Sequence, residues 1–306
     1  MTILNRRDLM IGGAAMSSAV LTNSPAMADG HTPSPSGARA RGFKLGEFAV
    51  TTLLSGTSPA DDPKKIFGAA VPADEFAAVS AENFLTTDAL QFYYTPTLVQ
   101  TGSATILFDT GLSAESLAGP LGEVGVSAAD ITHVIITHMH PDHISGMTDK
   151  DGAMAYPNAT FLTGQVEFDV SSNVENPVFD AKVRPFGDRF GFLKGGDPVA
   201  SGVTAVEAFG HTPGHMNYRL ESAGQQLLLV ADLVGHYVWS FVNPEWTMLY
   251  DADKAQASAT RRGVLDMLAT DKIPMIGYHM PFPGAGFVET RGSGFRFVPV
   301  SYQMMG

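Results

Sequence analysis

The 306-residue sequence predicts a mixed α/β fold with helices packed outside sheets. Three observations carry this expectation. Short apolar runs bounded by turn residues recur along the chain, as in Ala104–Phe108, which ends in the turn Asp109-Thr110-Gly111. Segments with helical patterning alternate with these runs, most clearly over Asp253–Ala269. Hydrophobic residues make up 44% of the chain, enough for a full core and too many for global disorder.

Taken in order, Phe48–Leu54 alternates as a strand should, and Ala104–Phe108 reads as a short buried strand. Glu115–Glu123 reads as helix, Ser127 and Asp130 bracket a helical turn, and Ile131–Thr137 is an apolar strand. Ala159–Thr163 is a further strand, with a helix starting near Gln165. Gly202–Phe209, Met216–Leu220 and Gln226–Val230 follow as strands, then the helix over Asp253–Ala269 and a late strand over Ile273–Tyr278.

Residues 1–28 have the three regions of a secretory signal: the basic pair Arg6-Arg7, an apolar stretch over Leu9–Leu21 and the small-x-small pattern Ala26-Met27-Ala28. Paired arginines point to the twin-arginine route, and hence to a periplasmic or secreted protein. The apolar stretch is short and rich in Gly, Ala and Ser, which argues against stable membrane insertion. Residues 29–42, rich in Pro, Ser and Gly, read as a flexible linker, and 43–306 as one domain.

The formal net charge of −12 argues against nucleic acid as a partner, since phosphate backbones select basic patches. The absence of cysteine excludes disulfides, thiolate catalysis and Cys-ligated zinc. A transition metal in this chain must sit on His nitrogen and carboxylate oxygen.

Such a donor set is present. Three of the nine histidines lie in HMHPDH, residues 138–143, directly after the strand Ile131–Thr137. An extended backbone through Met139 puts His138 and His140 on one side, because side chains alternate along a strand. Pro141 then sets a turn that offers Asp142 and His143 to a neighbouring ion. Neutral imidazole and carboxylate suit zinc, with manganese, iron or cobalt also compatible. One loop cannot fill two metal shells, so distant residues must contribute. The candidates are FGHTPGHM over 209–216, Asp232 at the end of an apolar strand, and His279 in IGYHM, each at a strand terminus.

These residues together resemble the metallo-β-lactamase superfamily of hydrolases over about residues 43–306. The resemblance implies an α/β fold of the αβ/βα four-layer sandwich type and two divalent ions, Zn2+ first among them. It implies that His138, His140 and His215 bind one ion, that Asp142, His143 and His279 bind the other, and that Asp232 bridges them. Asp109 and His211 are assigned supporting or turn roles by the same likeness. The stretches YPNATFLTGQVEFD (156–169) and HMPFPGAGFVETRGSGFRFVPVSY (279–302) resemble the branch that contains methyl parathion hydrolase and related lactone and aryl-ester hydrolases. Many acyl-homoserine lactonases have a tyrosine three residues after the bridging aspartate, a position held here by Gly235.

Two ions about 3.5–4 Å apart share a water, lower its pKa toward ~7 and yield hydroxide for attack on a carbonyl or phosphoryl centre. Asp142 and Asp232 are the carboxylates expected to serve that chemistry. Trp239, Phe241, Trp246, His236 and Phe282 are expected to line a pocket for a small uncharged or weakly charged substrate. The expected function is hydrolysis of lactones, aryl esters or organophosphate triesters. The alternatives are a β-lactamase, a thioester hydrolase or a non-catalytic metal-binding protein on the same fold. Homodimerisation is an expectation by analogy with related enzymes.

Overall fold

The computed structural model describes residues 37–304. The signal peptide assigned to residues 1–28, and most of the assigned linker, lie outside the described residues. The linker boundary needs correction: β1 (Ala40–Leu45) pairs antiparallel with β2 (Phe48–Leu53), so Ala40, Arg41 and Gly42 belong to a sheet. The Pro, Ser and Gly content just upstream hid this strand in the sequence.

After β2 the chain makes an excursion. β3 (Gly56–Asp61) and β4 (Ala89–Tyr94) form their own antiparallel pair, with α1 (Pro63–Phe67) and α2 (Ala73–Glu82) between them in sequence. The first sheet resumes with β5 (Thr97–Gln100) and β6 (Thr105–Phe108). Next come α3 (Ala114–Glu123), β7 (His133–Ile136), α4 (Pro141–Ile144), β8 (Thr160–Gly164), α5 (Gln165–Ser172), α6 (Pro177–Lys182) and β9 (Phe190–Leu193). The strand order is β1-β2-β5-β6-β7-β8-β9, parallel from β6 onward.

The second sheet holds β10 (Pro198–Ala200), β11 (Val203–Glu207), β12 (Met216–Ser222) and β13 (Gln225–Ala231) in sequence order. After α7 (Trp239–Val242) and α8 (Lys254–Asp271) it is completed by β14 (Met275–Gly277), β15 (Ala285–Arg291) and β16 (Gly294–Pro299). Only the β13–β14 pairing is parallel in this sheet, because only there does a helical crossover separate the strands.

Alternation along single strands explains the layers. Ile106 and Phe108 of β6 and Ile135 of β7 face Tyr218, Leu229 and Ile276 of the other sheet in one core. Their neighbours Leu107, Val134 and Ile136 point the other way, onto Leu117 and Leu121 of α3. In β13, Leu227 and Leu229 face inward, while Leu228 and Val230 meet Leu265 and Leu268 of α8. These strands are apolar on both faces because both faces are covered, and the result is the mixed α/β sandwich of helix, sheet, sheet and helix. Ser113 caps α3 with a reciprocal Ser116 bond, and Asp253 caps α8 by accepting from the Gln256 N–H.

The same architecture gathers the chemistry at one edge. Asp109 follows β6, His138 follows β7, His211 follows β11, Asp232 follows β13 and His279 follows β14. Two of these exits use left-handed backbone at non-glycine residues: Asp109 itself (φ 62°) and Ala231 (φ 43°), just before Asp232. For alanine that conformation costs on the order of 1–2 kcal/mol, a strain held in place by the surrounding sheet. Among the described residues, no helix is long and apolar enough to cross a membrane.

Gly146 closes the histidine-rich loop against the turn after β6. A Cβ there would lie 2.1 Å from the Thr110 carbonyl oxygen. Thr110 in turn donates from both N–H and Oγ1 to the His143 carbonyl, each at 2.8 Å. Gly146→Ala is expected to lower stability by about 1–3 kcal/mol through this overpacking, read as a lower urea midpoint at unchanged slope.

Candidate metal centre

The backbone stays extended through His140 (φ −70°, ψ 151°), so His138 and His140 emerge on one side. His138 Nε2 and His140 Nδ1 are 3.0 Å apart, and His211 Nε2 lies 3.0 Å from the same His140 atom. Asp232 Oδ2 is 3.4 Å from His211 Nε2 and 3.8 Å from His138 Nε2. A second group adjoins the first: Asp142 Oδ2 lies 3.4 Å from His143 Nε2 and 3.3 Å from His279 Nε2. Asp232 faces this group as well, with Oδ1 3.3 Å from His143 Nε2 and Oδ2 3.1 Å from His279 Nε2.

The outward nitrogens decide which proton each ring carries. His143 Nδ1 donates to Asp109 Oδ2 at 2.8 Å, His211 Nδ1 to Asp251 Oδ1 at 3.0 Å, and His279 Nδ1 to the Tyr93 carbonyl at 2.9 Å. His138 Nδ1 faces Thr137 Oγ1 at 3.1 Å, and that hydroxyl donates to Asp109 Oδ2 at 2.9 Å. With the outer position of these four rings engaged as a donor, the inner nitrogen of a neutral ring presents a lone pair. Lone pairs then face lone pairs and carboxylate oxygens. His143 Nε2 and Asp232 Oδ1 are buried with no hydrogen-bond partner. A pair of divalent cations fits this donor set and resolves the conflict.

The electrostatics agree. Burial pushes the His143 and His279 pKa values down, but the carboxylates outweigh it. Asp232, Asp142 and Asp109 hold His143 well above its usual range, and Asp232 with Asp142 raises His279 to about 10. Burial pushes Asp232 up, and His279 with His143 brings it well below the ordinary carboxylate range. The pocket thus favours positive charge placed among ionised carboxylates. Burial, with His211 adding to it, depresses His140 to about 4, so that ring is neutral at pH 7.

One assignment from the sequence is corrected. His211, not His215, joins His138, His140 and Asp232 within ligand distance of one another. His215 falls outside that group, and its Nε2 accepts the Asp232 N–H at 3.2 Å. The two histidines of HTPGH are four residues apart across a tight turn, and spacing alone does not say which one faces inward. His211 is fixed by residues the sequence reading missed. Asp251 Oδ2 accepts from Arg261 Nη2 at 2.8 Å and from the Met248 N–H at 3.2 Å. Arg261, fully buried in α8, also donates to the carbonyls of Leu233, Pro244 and Trp246. A buried arginine at helical spacing among Ala257, Leu265 and Leu268 was the available signal. Asp109 does hold the loop: it accepts the Thr137 N–H and hydroxyl along with His143.

The expected pocket wall is also corrected. A cavity of about 360 Å³ opens onto His140, Asp142, His211, Asp232 and His279, and its apolar wall is Phe67, Phe92, Tyr94, Leu112, Met248 and Tyr250. Trp239, Phe241, Trp246, His236 and Phe282 do not line it. Trp239 stacks on Phe67 and Phe76 and donates from Nε1 to Ser80 Oγ, so it supports the wall from behind. Trp246 stacks on Phe76, and Phe241 is packed under α8 beside Phe297. Proximity to Asp232 in sequence misplaced them, because α7 turns its aromatic side chains into the core. Gly235 does line the cavity, and a Cβ there would lie 2.9 Å from Met248 Sδ and 3.0 Å from Phe67 Cε1. Met248 and Phe67 fill the space a larger side chain would need.

His236 is buried, and its Nδ1 accepts the Val238 and Trp239 N–H groups at 3.1 and 3.4 Å. Burial depresses its pKa to about 3. The folded state therefore holds this ring neutral, while the unfolded chain protonates it below about pH 6.5. Its stabilising contribution is present above that pH and falls as pH drops toward 3. Between pH 7 and pH 5 the wild type is expected to lose about 2 kcal/mol more stability than His236→Asn, measured by denaturant unfolding at both pH values.

The comparisons with known proteins agree with this geometry. The sequence-family model described as the metallo-beta-lactamase superfamily matches residues 92–276. A curated relative, metallo-beta-lactamase domain-containing protein 1 of Xenopus laevis, is 47% identical over 53 residues. That match spans 17% of this chain and only 22% of the relative's length. Among solved structures, AidC, a dizinc quorum-quenching lactonase in complex with a product, superposes with a TM-score of 0.80 at 27% identity. The superposition covers 86% of this chain and 98% of that one. The hydrolase AbOPH of the beta lactamase superfamily superposes with a TM-score of 0.78 at 25% identity, over 87% and 99% of the two chains. The family match covers more than half of the sequence, and the chain belongs to the metallo-beta-lactamase superfamily.

Proposed function

We propose that this chain is a dinuclear metal-dependent hydrolase acting on lactones, aryl esters or organophosphate triesters, within the branch that resembles methyl parathion hydrolase. The observation that carries the reading is the convergence of five imidazoles and two carboxylates at the floor of an apolar cavity. His138, His140 and His211 would hold one ion, Asp142, His143 and His279 the other, and Asp232 both. Ions bound there supply Lewis acidity and an activated water at neutral pH.

The chain's own residues do the rest. Asp109, Asp251 and the Tyr93 carbonyl fix the ring orientations. Asp142, on the cavity side, is the better exposed of the two inner carboxylates and is available to accept a proton during bond cleavage. Phe92, Leu112, Met248 and Tyr250 exclude water and take up an acyl or aryl group. Among the described residues, no lysine or arginine lines the cavity, which favours uncharged substrates over a glutathione thioester with its carboxylates. The likeness to a dizinc lactonase supports the lactone member of this set. Export through the twin-arginine route stays part of the proposal, since metal would then be acquired before translocation.

Metal analysis is expected to find near two zinc ions per chain, and dialysis against chelator should abolish turnover that added zinc restores. A γ-lactone, p-nitrophenyl acetate, methyl paraoxon and nitrocefin then separate the activities, and turnover of nitrocefin alone would overturn the substrate assignment. His211→Ala should lose one ion and at least about 100-fold in kcat, on the scale of removing a ligand or its outer partner. Phe92→Ala should act mainly on KM, with zinc content unchanged.

A further inference from the structure

Glu167 lies in the first turn of α5, does not line the cavity, and is almost completely buried. Its carboxylate has three donors and no acceptor around it. Oε1 accepts the Met139 N–H at 2.8 Å. Oε2 accepts the Thr212 hydroxyl at 2.7 Å and the Gly214 N–H at 3.1 Å. Met139 is the residue between His138 and His140, and its carbonyl is held in turn by Asn176 Nδ2 at 3.0 Å. Thr212 and Gly214 follow His211. One carboxylate therefore ties together the two loops that present His138, His140 and His211.

The fit is tight at the backbone too. A Cβ on Gly214 would lie 2.1 Å from the Glu167 N and 2.5 Å from its Cα, so the 211–215 loop is pressed onto the start of α5. Only an ionised carboxylate matches three converging donors. A glutamine would turn an NH2 group toward either the Met139 N–H or the Gly214 N–H, leaving a buried donor without its acceptor.

We infer that Glu167 is a positioning residue that registers the 138–140 loop against the 211–215 loop and so sets the affinity for one of the two ions. This rests on the metal reading proposed above. A role in fold stability alone would lower the melting temperature of the metal-free protein and leave zinc affinity intact; registration of the loops predicts weaker binding of one zinc in addition to any such loss.

The test is a competitive chelator titration of zinc on the full chain, with thermal unfolding of the metal-free protein alongside. Glu167→Gln is expected to weaken one zinc by about 10–100-fold, to leave the second zinc bound, and to lower the metal-free melting temperature by no more than one unpaired buried donor accounts for. Thr212→Val removes one donor and keeps the carboxylate; it should weaken the same ion less, and Thr212→Ser should restore it. Two ions bound at wild-type affinity in Glu167→Gln would overturn the inference while leaving the metal reading intact. Should Glu167→Gln fail to fold, Thr212→Val decides, and wild-type zinc affinity in that variant is the overturning result. A wild-type chain that binds no zinc removes the metal reading and this inference together.

Discussion

The Asp232 carboxylate is the constraint to which the rest of the molecule is fitted. It is buried, its two oxygens lie within 3.4 Å of imidazole nitrogens from both ligand groups, and it comes directly after a strained left-handed residue at the end of β13. An ionised carboxylate taken out of water is tolerated only beside compensating positive charge. Neutral imidazoles do not supply it, and the raised pKa values of His143 and His279 show how strongly the carboxylates draw positive charge, so the sheets assemble a place for cations. The αβ/βα arrangement makes this possible, because five strand exits from two facing sheets reach one edge without any of them entering the core.

Around that centre the supporting bonds form a second layer with its own logic. Asp109 and Asp251 each hold one ring and one further anchor: Asp109 engages the Thr137 backbone, and Asp251 engages Arg261. Arg261 reaches the Leu233 carbonyl as well, so α8 braces both His211 and the strand end that bears Asp232. These are charge-assisted bonds in a region of low polarity, where losing one partner strands the other.

Much of this was legible in the sequence. HMHPDH declared itself because three imidazoles after an apolar strand have no other economical explanation, and Asp232 and His279 were found by their strand-end positions. Strands β6, β7 and β13 read correctly because burial on both faces leaves nearly uninterrupted apolar runs, and β11 and β12 because apolar and polar residues alternate along them. What failed was information that only packing contains. The two histidines of HTPGH are equivalent in one dimension and differ only once His215 is seen to accept the Asp232 N–H. The aromatic residues after Asp232 look like a wall, yet α7 turns them inward. The true wall comes from β4, α1 and the 248–250 stretch, which are remote from the ligands in sequence. Strand β1 and the β3–β4 pair escaped notice because half-exposed strands carry few apolar residues and border turn-rich stretches.

Floor and wall therefore have separate structural origins. The floor is set by strand termini of the two sheets, while Phe67, Phe92, Leu112, Met248 and Tyr250 come from excursions and connecting segments that the sheets do not need for closure. Drift in these connections can remodel what is admitted without disturbing what does the chemistry. Descent within such a lineage should therefore change diet far more readily than it changes reaction. The exception is the short bridge at Met248–Asp251, which serves both parts at once and should be the slowest stretch of the wall to diverge.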